Sequence, residues 1–146
     1  MNNIEKIYLK ETNNLEEMKE SFSLIKQLTT SLTAKSYTSM LKKMVPFNYF
    51  QLQAYIDEQL VGVSGFWLQT KLYIGSYLEI DNFVVDTNFR SKGIGEKIIL
   101  ALIEISKNKN CKAIMLDAYL ENTKAHNLYK KYGFKPEGYH FIKKIN

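Results

Sequence analysis

The segment RSKGIG, residues 90–95, places two cationic side chains and two glycines just before a run that is typical of a helix. Arg90 is the single arginine of the chain, whereas the other nineteen basic residues are lysines. A planar guanidinium matches phosphate oxygens, and a glycine lets an anion approach the backbone closely. The first N–H groups of a helix lack internal partners and therefore bind anions. The segment predicts a diphosphate site.

Other glycine patterns fit this segment less well. It is not a P-loop, because no glycine lies five residues before a Gly-Lys-Ser/Thr. In GIGEKI an isoleucine stands where a dinucleotide fingerprint has its third glycine. A DNA-binding helix-hairpin-helix needs a helix before the turn, whereas the preceding EIDNFVV, residues 79–85, resembles a strand. A tight strand-to-helix turn with incidental glycines remains the structural alternative.

A second motif follows one helix and one strand later, in NTKAHNLYKKYGF, residues 122–134. Together with Arg-x-x-Gly-x-Gly it resembles the two sequence motifs of the GNAT superfamily of N-acetyltransferases. The order of strands and helices is similar over nearly the whole chain, least so in residues 15–50. One small departure is Ser91, where the family often has glycine. The matched positions of the second motif are Asn122, Ala125, Leu128, Tyr129, Gly133 and Phe134.

The resemblance implies a cleft between two splayed strands, FVVD and LDAY, that receives the pantetheine arm of acetyl-CoA. Backbone groups near Phe83 and Val85 would bind the arm as an added strand, and the diphosphate would lie on residues 90–96. Asn122 would either bond the arm or simply cap its helix. The residues expected to bind the cofactor are Phe83, Val84, Val85, Arg90, Ser91, Lys92, Gly93, Ile94, Gly95, Glu96, Asn122 and Tyr129.

The resemblance also implies direct attack of a primary amine on the thioester in a ternary complex. The hydroxyl of Tyr129 would serve the departing sulfur, and the alternative is a tyrosine packed on the core face of its helix. The backbone N–H of Val85 would stabilise the developing negative charge. No side-chain pattern identifies the acceptor amine or the preferred acyl chain.

Two carboxylates, Glu79 and Asp81, are the candidates for the catalytic base. Side chains alternate along a strand, so both are expected to share a face with Phe83 and Val85. Asp81 is expected to be nearer the thioester, with Glu79 second. The alternative is that both are surface carboxylates, or that they bind a cationic substrate without moving a proton.

The elements that must position these residues follow from periodicity. The predicted order is β-α-α-β-β-β-α-β-α-β, a mixed and mostly antiparallel α/β sheet flanked by helices. One helix is expected over residues 14–28 and a second ends before Pro46. A hairpin turn is expected at Asp57-Glu58. The strands are expected at residues 4–10, 49–56, 59–69, 76–85, 111–119 and 138–145, and the later helices at residues 93–109 and 123–133.

Length and composition limit the remaining possibilities. With 146 residues, one domain over residues 1–146 is the simplest organisation. The lone Cys111, expected to begin a buried strand, excludes an intrachain disulfide and a cysteine-based zinc site, and no metal is expected. No signal-peptide core or membrane span is predicted, so a cytoplasmic location is expected. The expected oligomeric state is a monomer or a homodimer. The aromatic residues are expected mostly in the core.

The net charge of +5 indicates an anionic partner. The expected partners are acetyl-CoA and an amine acceptor, without nucleic acid or membrane. Two rival classes stay open on the sequence alone. One is a CoA-binding sensor or interaction module without catalysis, and the other is a nucleic-acid-binding protein that uses the Gly-Ile-Gly turn.

Overall fold

The computed structural model describes residues 6–146, and a five-stranded sheet lies at the centre of this part of the molecule. The strands lie in the order β1-β2-β3-β4-β5, antiparallel except for the parallel pair β4–β5. The expected mixed, mostly antiparallel sheet is confirmed, although the first predicted strand begins outside the described residues. The strands span Ile7–Thr12 (β1), Tyr49–Ile56 (β2), Gln59–Lys71 (β3), Gly75–Val85 (β4) and Ala113–Leu116 (β5).

Residues 6–146 contain five α-helices, and the helix predicted over residues 14–28 is two helices. The helix is interrupted at Ser21. This residue is fully buried, and its Oγ accepts a hydrogen bond from Gln53 Nε2 at 2.9 Å. The same amide donates to the carbonyl of Glu17. The buried side-chain amide of Gln53, on the sheet, therefore forms hydrogen bonds with groups that an unbroken helix would not offer. The helices span Leu15–Lys19 (α1), Phe22–Leu28 (α2), Ala34–Met44 (α3), Ile94–Asn108 (α4) and Thr123–Lys131 (α5).

Each face of the sheet carries its own core. Helix α4 packs on one face through its apolar stripe, and α1, α2 and α3 pack on the other. The sheet lies between the two cores, so the side of a strand on which a residue lies decides which core it joins. The α4-side core contains Leu52, Ala54, Ile56, Val61, Phe66, Leu78, Ile80, Ile94, Ile98 and Leu102, and the opposite core contains Met18, Leu24, Ile25, Tyr37, Leu41, Tyr49, Val63 and Val84.

Two local predictions from turn chemistry are confirmed. Asp57 and Glu58, with φ of 47° and 67°, form the turn between β2 and β3. Left-handed residues at both positions match the twist of an antiparallel hairpin. Helix α3 ends at Met44, and Pro46 lies within the short 3-10 helix that follows.

The C-terminal third is less regular than predicted. The strand expected over residues 138–145 is absent, because the chain after Phe134 forms neither helix nor strand. Its apolar residues, including Phe141 at 90% exposure, lie in solvent. Strand β5 covers only residues 113–116, and it is half-buried rather than buried. Cys111 precedes it, because its N–H closes the turn after α4 on Ser106 O at 2.9 Å.

Candidate active site

Strand β4 contains a bulge at Asn82. Val63 pairs with Val84 and Gly65 pairs with Asp81, so two residues of β4 lie opposite the single Ser64 of β3. Asn82 has a φ of 53°, in the left-handed region that asparagine tolerates better than most residues. An extra residue of this kind kinks a strand and shifts its alternation by one.

This bulge corrects the prediction about the faces of β4. Ile80, Phe83 and Val85 all contact the core on the α4 side of the sheet. Glu79 and Asp81 flank Ile80, so they lie on the opposite face. The prediction that these carboxylates share a face with Phe83 and Val85 is wrong, because Asn82 interrupts the period of two.

The expected splay between β4 and β5 is present. Pairing of the two strands ends at Ile80 and Leu116, whereas β4 continues to Val85. Asp86 N–H donates to Val61 O at 2.8 Å, on the β3 side. Neighbouring residues of an antiparallel strand direct their backbone groups to opposite sides, so the N–H of Val85 points to the open edge. The cleft thus presents a backbone donor.

The segment after β4 leads from this edge into α4. A short 3-10 helix covers Thr87–Phe89, and Ser91 and Gly93 then have φ of 65° and 79°. Gly93 is the N-cap of α4, and a Cβ built on it meets no atom within 4 Å. The first intrahelical bond of α4 runs from Lys97 N to Gly93 O, so the amides of residues 94–96 lack partners within the helix.

The charged side chains of the segment lie around this helix start. Arg90 Nε donates to Val85 O at 3.3 Å, which brings the guanidinium beside the open edge of β4. Lys92 Nζ lies 5.5 Å from the centre of the Phe89 ring. Glu96 forms a 2.7 Å ion pair with Lys131 of α5. This contact, followed by a hydrogen bond with Tyr132, lowers the pKa of the Glu96 carboxyl.

Tyr129 is positioned by the end of its own helix. Gly133, with a φ of 91°, donates from its N–H to Lys130 O, and the N–H of Phe134 donates to Tyr129 O, both at 3.1 Å. This is a Schellman motif, in which an apolar contact joins the residues at its two ends. Here the rings of Tyr129 and Phe134 lie 5.9 Å apart, edge to face. Burial raises the pKa of the Tyr129 hydroxyl.

Asn122 acts as the N-cap of α5. Its Oδ1 accepts a hydrogen bond from Ala125 N at 3.2 Å. The capping role that the sequence left open is therefore present. His126 lies one turn along α5, and its Nε2 is 2.7 Å from Tyr119 O, so this ring ties α5 to the segment that follows β5.

The two carboxylates of β4 have different surroundings. Burial, followed by the charge of Asp117, raises the pKa of the half-buried Glu79. Asp81 Oδ2 accepts a hydrogen bond from Trp67 Nε1 at 3.0 Å. The ring Nδ1 of His140 lies 3.5 Å from Asp117 Oδ2, so the C-terminal segment reaches this acidic end of the cleft.

Sequence analysis missed the contribution of Trp67, Tyr49 and Asn82. The two aromatic residues were expected in the core, where they do pack, but each also directs a donor at β4. Asn82 was taken as an ordinary strand residue. The signal was the pair Asp81-Asn82 within an otherwise apolar strand, because both residue types are depleted in strands and enriched where the backbone turns left-handed.

The described part of the chain contains no group of three or more His, Cys, Asp or Glu residues placed to hold a metal ion. Within residues 6–146, no helix is both long enough and apolar enough to cross a membrane.

The splayed strands, the glycine-rich start of α4 and the position of Tyr129 on α5 are the arrangement that the resemblance to acetyltransferases implies. Residues 5–134 match the family model described as "Acetyltransferase (GNAT) family". The chain belongs to the GNAT family of acetyltransferases, which confirms the resemblance.

Known relatives agree with this membership. The N-acetyltransferase YhdJ of Bacillus subtilis is 26% identical over 141 residues, which is 95% of this chain and 99% of YhdJ. Another Bacillus subtilis protein, described as a ribosomal protein bS18-alanine N-acetyltransferase, is 28% identical over 82 residues. That match covers 56% of this chain and about half of the relative (51%).

A solved structure of the aminoglycoside N-acetyltransferase AAC(6')-Iy in complex with CoA has the same fold, with a TM-score of 0.82. The likeness covers 96% of this chain and 95% of that one at 18% identity.

Proposed function

We propose that this protein transfers the acetyl group of acetyl-CoA to a primary amine by direct attack in a ternary complex. One observation carries the proposal: the open edge of β4 adjoins the start of α4. The Cβ position of Gly95 lies 3.4 Å from Phe83 Cζ and 3.8 Å from Val85 Cγ2. Donors for an extended amide arm therefore lie next to donors for a diphosphate. In CoA the pantetheine arm and the diphosphate are likewise adjacent parts of one molecule.

The residues present fit this co-substrate. The N–H of Val85 at the open edge would bond the arm or stabilise charge at the reacting carbonyl. The amides of residues 94–96 and the guanidinium of Arg90 would hold the diphosphate. A Cβ on Gly93 meets no neighbouring atom, so the space over this glycine is open to an anion. Acetyl-CoA supplies the activated acyl group.

Two proton transfers fall to side chains of this chain. A tyrosine hydroxyl is protonated at neutral pH, and burial raises the pKa of Tyr129 further, so this hydroxyl would donate its proton to the departing sulfur. The raised pKa of Glu79 favours this carboxylate as the base that takes a proton from the amine. Asp81, whose carboxylate is oriented by Trp67, is the second candidate. The amine would approach from the face that carries both acids.

The test combines a binding measurement with an acceptor screen. Polyamines, amino acids, aminoglycosides and peptides with free amines are incubated with the protein and acetyl-CoA, and both free thiol and acetylated product are followed. We expect at least one amine to be acetylated.

Arg90→Ala should weaken acetyl-CoA binding by roughly 1–3 kcal/mol, the scale of a charge-assisted hydrogen bond. Gly93→Val, strained by the φ of 79°, should abolish acetyl-CoA binding.

Other outcomes would favour the rival classes. Acetyl-CoA binding without product from any amine would support a sensor or interaction module. Binding of DNA alone, steeply weakened by salt, would support a nucleic-acid-binding protein. Equal acetyl-CoA affinities in the wild type, Arg90→Ala and Gly93→Val would contradict the diphosphate site.

A further inference from the structure

The side chain of Asn82 is held by a buried tyrosine. Tyr49 Oη donates to Asn82 Oδ1 at 3.1 Å. A non-glycine residue in the left-handed region carries a conformational penalty, so this hydrogen bond helps to keep Asn82 at its φ of 53°. The backbone that follows, residues 83–85, runs along the cleft beside the start of α4. The hydroxyl of Tyr49 therefore acts on the strand at the bulge, where the alternation of side chains between the two faces shifts by one residue.

Tyr49 is itself fixed from several sides. It is 1% exposed, and its ring lies 4.9 Å from that of Trp67. Gln51 Nε2 lies 3.3 Å from its hydroxyl and donates to it. The hydroxyl occupies the space over Gly65, where any Cβ would collide with it. Burial also raises the pKa of Tyr49 far above its ordinary value, so this hydroxyl stays protonated and can donate to Asn82.

We propose that Tyr49 is a positioning residue for acetyl transfer: its hydrogen bond to Asn82 sets the bulge of β4 and thereby directs the N–H of Val85 into the cleft. The inference rests on the proposed N-acetyltransferase function. Tyr49 belongs to the face of the sheet opposite α4 and acts on the reaction through Asn82, without touching the substrate.

The first test is Tyr49→Phe, which removes one hydroxyl and almost no volume. Loss of one neutral hydrogen bond should lower the turnover rate by roughly three- to tenfold, with little change in the amine KM. The second background is Asn82→Gly, in which glycine adopts the left-handed region unaided and offers no acceptor. There Tyr49→Phe should cause no further loss.

The matched control is Tyr37→Phe. The hydroxyl of Tyr37 belongs to the same buried network, because it donates to Met18 O at 2.7 Å and accepts from Gln51 Nε2 at 2.9 Å. It does not contact Asn82. The two phenylalanine variants should lose similar thermal stability, but only Tyr49→Phe should lose rate. An equal loss of rate in both variants, or a full loss from Tyr49→Phe in the Asn82→Gly background, would overturn the proposal.

A readout without substrate separates this inference from the proposed function. Amide hydrogen exchange over residues 82–86 should be faster in Tyr49→Phe than in Tyr37→Phe, since the bulge would then sample other conformations. If the wild type acetylates no amine, the proposed function fails, and the exchange comparison still tests the control of the bulge. Identical exchange in the two variants overturns that control.

Discussion

At the scale of single residues, the hydroxyl of Tyr129 is the group on which the proposed chemistry depends most. Tyr129→Phe keeps the ring contact with Phe134, so the fold and the acetyl-CoA affinity should change little. If the hydroxyl donates to the departing sulfur, the rate should fall about 10²–10⁴-fold, the usual scale of general acid catalysis. Single-turnover acetyl transfer at saturating acetyl-CoA measures this effect.

The control for that measurement is a tyrosine whose hydroxyl should not affect the rate of acetyl transfer. Tyr132 is unsuitable, because it lies close enough to Glu96, at the start of α4, to influence the pKa of that carboxyl. Tyr8 lies on β1 with 62% of its surface exposed, and Tyr8→Phe should retain wild-type rates. Wild-type rates in Tyr129→Phe as well would leave substrate positioning and backbone donors to account for the reaction.

Glu79 gives a second prediction at the residue scale, about pH and stability. Because burial raises the pKa of Glu79, the folded protein holds this proton more tightly than the unfolded chain does. The wild type therefore loses stability as the pH rises from the unfolded-state pKa through the raised folded-state pKa. Glu79→Gln does not ionise, so the Tm of the variant minus that of the wild type should increase from about pH 4 to about pH 8.

Glu137→Gln, the same chemical change at an exposed position, is measured alongside Glu79→Gln as the matched control. A constant Tm difference for Glu79→Gln would mean that Glu79 is not desolvated in the folded protein.

The kinetics of Glu79→Gln test its role in the reaction. A flattened rise of turnover with pH would identify Glu79 as the base, whereas a raised amine KM alone would indicate a binding role.

At the scale of elements, the C-terminus of α5 depends on one glycine. Gly133→Ala should lower the free energy of unfolding by about 1 kcal/mol, because alanine is strained at a φ of 91°. Gly138→Ala is the matched control, since a Cβ at either position meets nothing within 4 Å and only Gly133 has a positive φ. Urea unfolding measures both. Equal stability of the two variants would mean that α5 does not need this turn.

At the scale of the whole molecule, the net charge of +5 should strengthen the binding of a polyanionic ligand. We expect the dissociation constant of acetyl-CoA to increase with salt, since charges are screened over about 10 Å at 0.1 M. Acetyl-pantetheine, which lacks the diphosphate, is the control and should bind with much weaker salt dependence. Calorimetry at several ionic strengths compares the two, and equal slopes would contradict a phosphate site at residues 90–96.

Local signals account for the parts of the site that the sequence predicted. Glycine conformation and helix-start electrostatics act within a few residues, so RSKGIG and the start of α4 could be interpreted without tertiary contacts. The stop before Pro46 and the turn at Asp57-Glu58 are local for the same reason. The cytoplasmic location and the monomeric or homodimeric state stay predictions.

The sequence alone predicted an anion-binding helix start and the order of most elements up to α5, because glycine placement, apolar periodicity and turn residues depend on neighbouring positions. Only the tertiary structure decided which face of β4 each acid occupies. The bulge at Asn82 depends on Tyr49, 33 residues away in the chain, and on the space that Gly65 leaves for its hydroxyl. The break between α1 and α2 depends likewise on Gln53 of β2. Such contacts join residues distant in the chain, so no pattern of neighbouring residues reveals them.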